Sequence, residues 1–162
     1  MFVLETALSD GAILAVAASA VVMGSLRANP RLFMRHFPDA LKQRLAPLSP
    51  KETKAGAVVG IVLIVLLFGG PLASSMLARP QPLPAVFLHA FTVGMVFNAV
   101  DWLILDEFVL GVLKPRWALP PGSTLDDFQP FDHGRHARGF ATGTVICAVA
   151  AALATGVVAL AG

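Results

Sequence analysis

Two stretches of this chain place residues capable of acid–base, metal or anion chemistry in strongly apolar surroundings. The first holds Asn98, Asp101, Asp106 and Glu107, with His89 further upstream, inside a single apolar run. The second is Asp132-His133-Gly134-Arg135-His136-Ala137-Arg138, immediately ahead of another such run. A carboxylate facing hydrocarbon costs several kcal/mol, so Asp101 demands a partner or a proton. At 100° per residue Asp101 shares a helical face with Gly94 and Asn98, whereas Asp106 lies on the next face and Glu107 points away, on the side of His89. The carboxylates therefore do not read as one dyad.

Three chemistries fit the two stretches together. In the first, the groups hold the protein together: Asp132 caps a helix, while Arg135 and Arg138 pair with Asp101, Asp106 or Glu107. Arg138, one turn inside its run, is the expected partner of Asp101. In the second, His133 and His136, three apart on one turn, bind a metal with Asp106. An isolated H-x-x-H lacks the helical H-E-x-x-H of zinc hydrolases, so this spacing alone has little specificity. In the third, the arginines and histidines hold a phosphate or carboxylate headgroup. The first reading is preferred, because ion pairs at helix ends are common. His89 reads as a satisfied interfacial residue, and His36, among basic neighbours, as solvated.

The pattern Asn98-x-x-Asp101-x-x-x-x-Asp106, the loop Pro121-Gly122-Ser123-Thr124 and His136-x-x-Gly139-Phe140 resemble small uncharacterised bacterial four-span membrane proteins. The resemblance covers about the second half of the chain. It implies a four-span fold and carries no activity, cofactor or ligand with it.

The elements that position these residues follow from composition. Of 162 residues, 56% are hydrophobic and 14% charged, and the mean hydropathy is +0.75. A soluble domain carries roughly 25% charged residues, and disordered chains are poor in apolar ones. The single cysteine, Cys147, excludes a disulfide framework within the chain. An all-α integral membrane protein remains. Apolar runs at about residues 6–26, 55–78, 85–113 and 137–161 each reach the roughly 20 residues that a spanning helix needs. Together they predict one transmembrane domain, residues 1–162, folded as a four-helix bundle. Residues 1–26 contain no Lys or Arg, so the first run reads as a retained span rather than a signal peptide.

Charge orients the bundle. The first connection holds Arg27, Arg31, Arg35, Lys42, Arg44, Lys51 and Lys54; the third holds Lys114, Arg116, Arg135 and Arg138; the second holds only Arg79. The positive-inside rule then places the first and third connections in the cytoplasm and both termini outside, as expected for a multi-pass protein of the cytoplasmic (inner) membrane. Phe33, Phe37, Leu41, Leu45 and Leu48 alternate with basic residues, which predicts a segment lying on the inner leaflet. There Arg27, Arg31, Arg35, Lys42 and Arg44 would meet lipid headgroups, as ordinary topology-fixing charge or as a specific anionic-lipid site.

Small residues mark where helices approach. Gly139, Gly143, Cys147, Ala151 and Thr155 form one ridge, Ala148, Ala152 and Gly156 a second, and Gly56-x-x-x-Gly60 opens the second span. Cys147 on its ridge reads as a packing residue. Phe68-Gly69-Gly70-Pro71 predicts a kink. Lipids are the expected partners, with a homo-oligomer or larger membrane complex permitted by the ridges. A net charge of +2, explained by topology, argues against nucleic acid. No nucleotide-binding or Cys-x-x-Cys motif points to a cofactor. Two functions follow: a non-enzymatic subunit, scaffold or lipid-contacting protein, or an enzyme or ion- or proton-coupled carrier with a cytoplasmic-side polar site.

Overall fold

The computed structural model describes residues 4–79, 82–129 and 131–161, and these contain helices and turns with no strand. Four helices are long and apolar enough to cross a membrane: α1 (Leu4–Ala28), α3 (Pro50–Ala78), a combined segment over Leu83–Leu113, and α5 (His133–Ala161). A short α2 (Asp39–Arg44) lies in the first connection. The segment Leu83–Leu113 starts as α4 (Leu83–Val100) and continues as a π-helix over Asp101–Leu113.

The helices outrun the apolar stretches because polar residues start them. Ser49 and Glu52 form a reciprocal capping box: the Glu52 N–H donates to Ser49 Oγ at 3.3 Å, and the Ser49 N–H to Glu52 Oε2 at 2.8 Å. Pro50 at the first position suits that start. α3 therefore begins before its apolar run and ends where Arg79 turns left-handed, φ 48°. Pro71 lies within α3 and is buried; it has no N–H, so the Leu67 carbonyl loses its helical partner.

α4 packs chiefly on α1, α3 and α5. One core cluster joins Ala7, Leu14 and Val93, with Leu66 and Phe97 against it; another joins Ala90, Ala151 and Ala154 beneath Leu72, Phe87 and Phe91. Contact depends on missing side chains. A Cβ on Gly94 would stand 3.1 Å from Cys147 Sγ, and one on Gly11 2.7 Å from Val96 Cβ. On Gly143 it would drive into the Asn98 amide. Gly143, Cys147 and Ala151 thus behave as the expected ridge. The second ridge does not: Ala152 and Gly156 are exposed, while Ala150 and Ala154 are buried. Four residues turn a helix by 400°, so a strict four-residue row drifts off any face and the buried stripe alternates steps of three and four. Large apolar side chains point outward instead, among them Ile13, Ile61, Val65, Leu77, Val145 and Leu160.

The first connection folds against the protein rather than lying apart from it. Leu41 is 1% and Phe37 5% exposed, so these two of the five apolar residues face the protein, while Phe33, Leu45 and Leu48 are half-buried. Phe37 meets Phe128 edge-on, ring centroids 5.6 Å apart, and Arg44 pairs with Asp127. The expected headgroup-facing cations are mostly engaged internally. Arg31 binds Glu52 at 2.8 Å and donates to the Ala46 carbonyl. Lys42 pairs with Asp39, Arg35 bonds His36, and Arg27 lies over Trp117. The reason is that Glu52, Asp39 and Asp127 lie beside these cations when the connections fold over the bundle end.

Two expectations follow. Gly143→Leu should destabilise the detergent-solubilised protein by about 1–3 kcal/mol through overpacking. Gly60→Ala, at a position where a Cβ meets nothing within 4 Å, should change stability by less than about 1 kcal/mol in the same thermal unfolding assay. The Thr124 N–H, and with it Arg44, holds the Asp127 carboxyl below the usual carboxylate range. The corresponding stability is present above the unfolded value of about 3.9 and is lost as pH falls through the lower folded value. Limited proteolysis of the third connection should therefore accelerate in acid, and Asp127→Asn should be cut equally fast at neutral pH.

Candidate functional site

The seam between the π-helix and the start of α5 gathers most of the residues singled out by chemistry. His136 Nδ1 stands 2.7 Å from Asp106 Oδ2, and His133 Nδ1 2.6 Å from Glu107 Oε2. The Phe131 ring stacks on the His136 ring, centroids 4.7 Å apart and 8° between planes, and meets His133 edge-on. Phe131 also rests on Gly111, where a Cβ would approach within 3.0 Å of the ring.

The π-helix makes this arrangement. In an α-helix, residues five apart are turned by about 140° from one another. Bonds from i+5 to i add a residue per turn, and Lys114 N–H closes the segment on the Val109 carbonyl at 3.0 Å. Asp101, Asp106 and Gly111, five apart, are then turned by only about 50° per step and follow a gently winding stripe. That stripe meets α5 at successive levels: Gly111 at Phe131, Asp106 at His136, and Asp101 beside Gly139 and Gly143. The α-helical wheel had turned Glu107 away from this seam; the π geometry brings it to His133 instead.

One turn above, Asn98 locks α4 to α5. Its Nδ2 donates to the Phe140 carbonyl at 3.1 Å and to Thr144 Oγ1 at 3.2 Å. Because a carbonyl can only accept, the amide nitrogen is the atom that faces it, and Oδ1 packs against Gly143 of the same helix, α5. Trp102 lies on Phe140 with centroids 4.6 Å apart, and its buried indole N–H finds no partner.

Asp101 does not join Arg138. Among the described residues it makes no ion pair and no side-chain hydrogen bond; Arg138 is 76% exposed and lies 3.9 Å from Asp132. The reason is again rotational. Arg138 begins α5 on its outward side, next to Asp132, which also bonds the Arg135 N–H at 2.8 Å and Arg135 Nε at 3.6 Å. Arg135 reaches across to the His36 carbonyl at 2.8 Å. Asp101 instead lines a cavity of about 290 Å³ between α3, α4 and α5, with Leu67, Phe97, Asn98, Gly139 and Cys147 in its wall. A metal centre on His133, His136 and Asp106 is not assembled, since each histidine takes a different carboxylate. No group of three His, Cys, Asp or Glu converges among the described residues.

A second polar constellation lies about 18 Å along the helix from Asp101, twelve residues towards its start. Ser74 Oγ donates to Asp10 Oδ2 at 2.6 Å and lies 2.6 Å from His89 Nε2. With the hydroxyl proton committed to the carboxylate, the imidazole donates into Ser74 Oγ. His89 is 1% exposed, so it is a buried member of a three-helix chain rather than an interfacial residue. Ser74 carried one signal in the sequence: Ser74-Ser75 is a hydroxyl pair inside an apolar run. Phe131 carried none that distinguishes it from other loop aromatics.

No family model, curated protein or solved structure matches the chain.

The geometry separates a coupled pair from an uncoupled one. A double-mutant cycle on Asp106→Asn and His136→Ala should return an interaction of about 0.5–3 kcal/mol. The cycle on Asp101→Asn and Arg138→Ala should be additive within about 0.5 kcal/mol by thermal unfolding.

Proposed function

We propose that this chain is a multi-pass component of the cytoplasmic (inner) membrane, a subunit, scaffold or lipid-contacting protein without catalysis of its own. Its four apolar helices would cross the bilayer with both termini outside. The outward display of Ile, Val and Leu along all four supports insertion, because such side chains have no place in water and cost nothing in lipid. Eleven basic residues on the first and third connections against one on the second support the orientation. A groove of about 370 Å³ beside α3, lined by Phe33, Arg35, Gly56, Gly60 and Leu63, offers an acyl-sized apolar surface with a cation at its end.

The observation that carries the non-catalytic reading is mutual satisfaction. The histidines at the seam are each taken by a carboxylate of the π-helix, and Arg31, Lys42 and Arg44 of the first connection pair with Glu52, Asp39 and Asp127. Such pairs tie helices together, and separating one would strand the other charge in apolar surroundings.

One observation favours a second reading, an ion- or proton-coupled carrier or a membrane enzyme with its site between α4 and α5. Asp101 is the carboxylate of the seam that has no protein partner, and it faces a cavity. An ionisable residue kept in that position is functional by default.

Two experiments test these readings. In a Cys147→Ala background, single cysteines at Gln43 and Gln81 should respond oppositely to an impermeant thiol reagent added outside whole cells, position 81 reacting and position 43 protected. The reverse labelling would overturn the orientation. In a deletion strain, Asp101→Asn and His136→Ala are compared for accumulation and for complementation. Loss of folded protein with loss of complementation favours the scaffold; full accumulation without complementation favours the polar site.

A further inference from the structure

We infer that the cavity beside Asp101 is a binding site for a primary ammonium ion carrying a small apolar body. This rests on the second reading above and gives it a ligand class. The walls come from three helices: Leu67 from α3, Phe97, Asn98 and Asp101 from α4 and the head of the π-helix, and Gly139 and Cys147 from α5.

The polar side of this lining consists of acceptors. Asp101 has a carboxylate without an ion pair or side-chain hydrogen bond among the described residues. Asn98 turns its nitrogen to Phe140 and Thr144, and its Oδ1, beside Gly143 in the same wall, accepts no hydrogen bond among the described residues. Thr142 spends its hydroxyl proton on the Arg138 carbonyl at 2.9 Å. No lining residue contributes a cation. A ligand for this site must therefore bring donors and positive charge, and an alkylammonium head brings three N–H groups. A guanidinium would need a planar, forked set of acceptors, which one carboxylate beside separate single oxygens does not provide.

Size and the remaining walls fix the rest of the ligand. About 290 Å³ far exceeds the room for one water, for which about 10–15 Å³ suffices, and falls near the lower end of ligand pockets. Leu67, Phe97, Ile146 and Cys147 supply the apolar surface. A bare inorganic cation would leave most of that volume dry and unfilled. Gly139 lies at the exposed rim, where a Cβ would meet nothing within 4 Å.

The primary ammonium could be a free amine or the headgroup of an ethanolamine lipid, and both present the same three donors. The test uses the full chain purified in detergent, with n-hexylammonium chloride as probe. A saturable rise of about 2–4 °C in unfolding temperature is expected. n-Hexanol, with the same body and no charge, and hexyltrimethylammonium, with the charge and no N–H, should give none. Asp101→Asn should weaken the response at least tenfold. Gly139→Leu, which fills the cavity and leaves Asp101 in place, should abolish it while folding normally, so the result survives if the aspartate variant does not accumulate. An equal response to hexanol or to the trimethyl compound, or a response unchanged in both variants, overturns the site, as does no response at all. In nanodiscs, suppression by ethanolamine lipid but not by choline lipid identifies the headgroup, and an unchanged response identifies the free amine. Because binding is read on isolated protein, absent binding while Asp101→Asn accumulates fully without complementing removes the ammonium ligand alone, whereas binding while Asp101→Asn complements normally removes the second reading alone.

Discussion

The rest of the structure depends on how closely α4 and α5 approach. The Asn98 amide enters the space that Gly143 leaves by having no Cβ, and there it finds two acceptors on α5. In lipid no hydrophobic driving force pulls helices together, so association relies on packing and on such polar contacts. Gly94 against Cys147 continues the approach along the helices. Once these positions are fixed, the π-helix is committed to α5, and its carboxylates must meet whatever α5 begins with. The His136–Asp106 and His133–Glu107 pairs are consequences of that spacing as much as causes of it.

The π-helix decides which acid is satisfied. By widening each turn it keeps Asp101, Asp106 and Gly111 within about 50° of one another step by step, and α5 with the residues just ahead of it offers each of them something different. Phe131 covers Gly111, an imidazole takes Asp106, and glycine leaves Asp101 an open space. A long π segment is rare, and such segments are frequent at functional positions. Reversion of Asp101–Leu113 to α geometry would swing Asp106 away from His136 by about a quarter of a turn relative to Asp101. The same sequence therefore holds the acids in their places only in this winding.

How much of this was legible in the residues differs from element to element. The four helices were readable because length and apolarity are sufficient to define a span, and the polar starts added by Ser49-Glu52 and by Asp132-His133 extended them beyond the apolar runs. The convergence of Asp106 and Glu107 with His133 and His136 was readable as a meeting of two helix ends. Which acid faces which histidine was not, because the wheel assumed 3.6 residues per turn and nothing in Asp101–Leu113 advertises another winding. Arg138 was matched to Asp101 by its depth, one turn inside its run, which does not say which way it points around α5. The His89–Ser74–Asp10 chain joins three helices, and its members are unremarkable singly. The folding of the first connection was hidden for a related reason: Leu41 and Phe37 have the same apolar pattern whether they face lipid or Phe128.

The two loops that close this end of the bundle impose an order on biosynthesis. Arg44 and Asp127 stand 83 residues apart in the chain, and Arg135 and His36 stand 99 apart. Both α3 and α4 are made between the two halves of this latch. The ribosome delivers the earlier half first, so Phe37 emerges without its cover and must wait for Phe128 through the synthesis of two entire helices. Until then the apolar underside of the first connection is exposed to any insertase, chaperone or bilayer surface within reach. The nascent protein thus passes through a stage whose stickiest surface is one that the finished protein conceals.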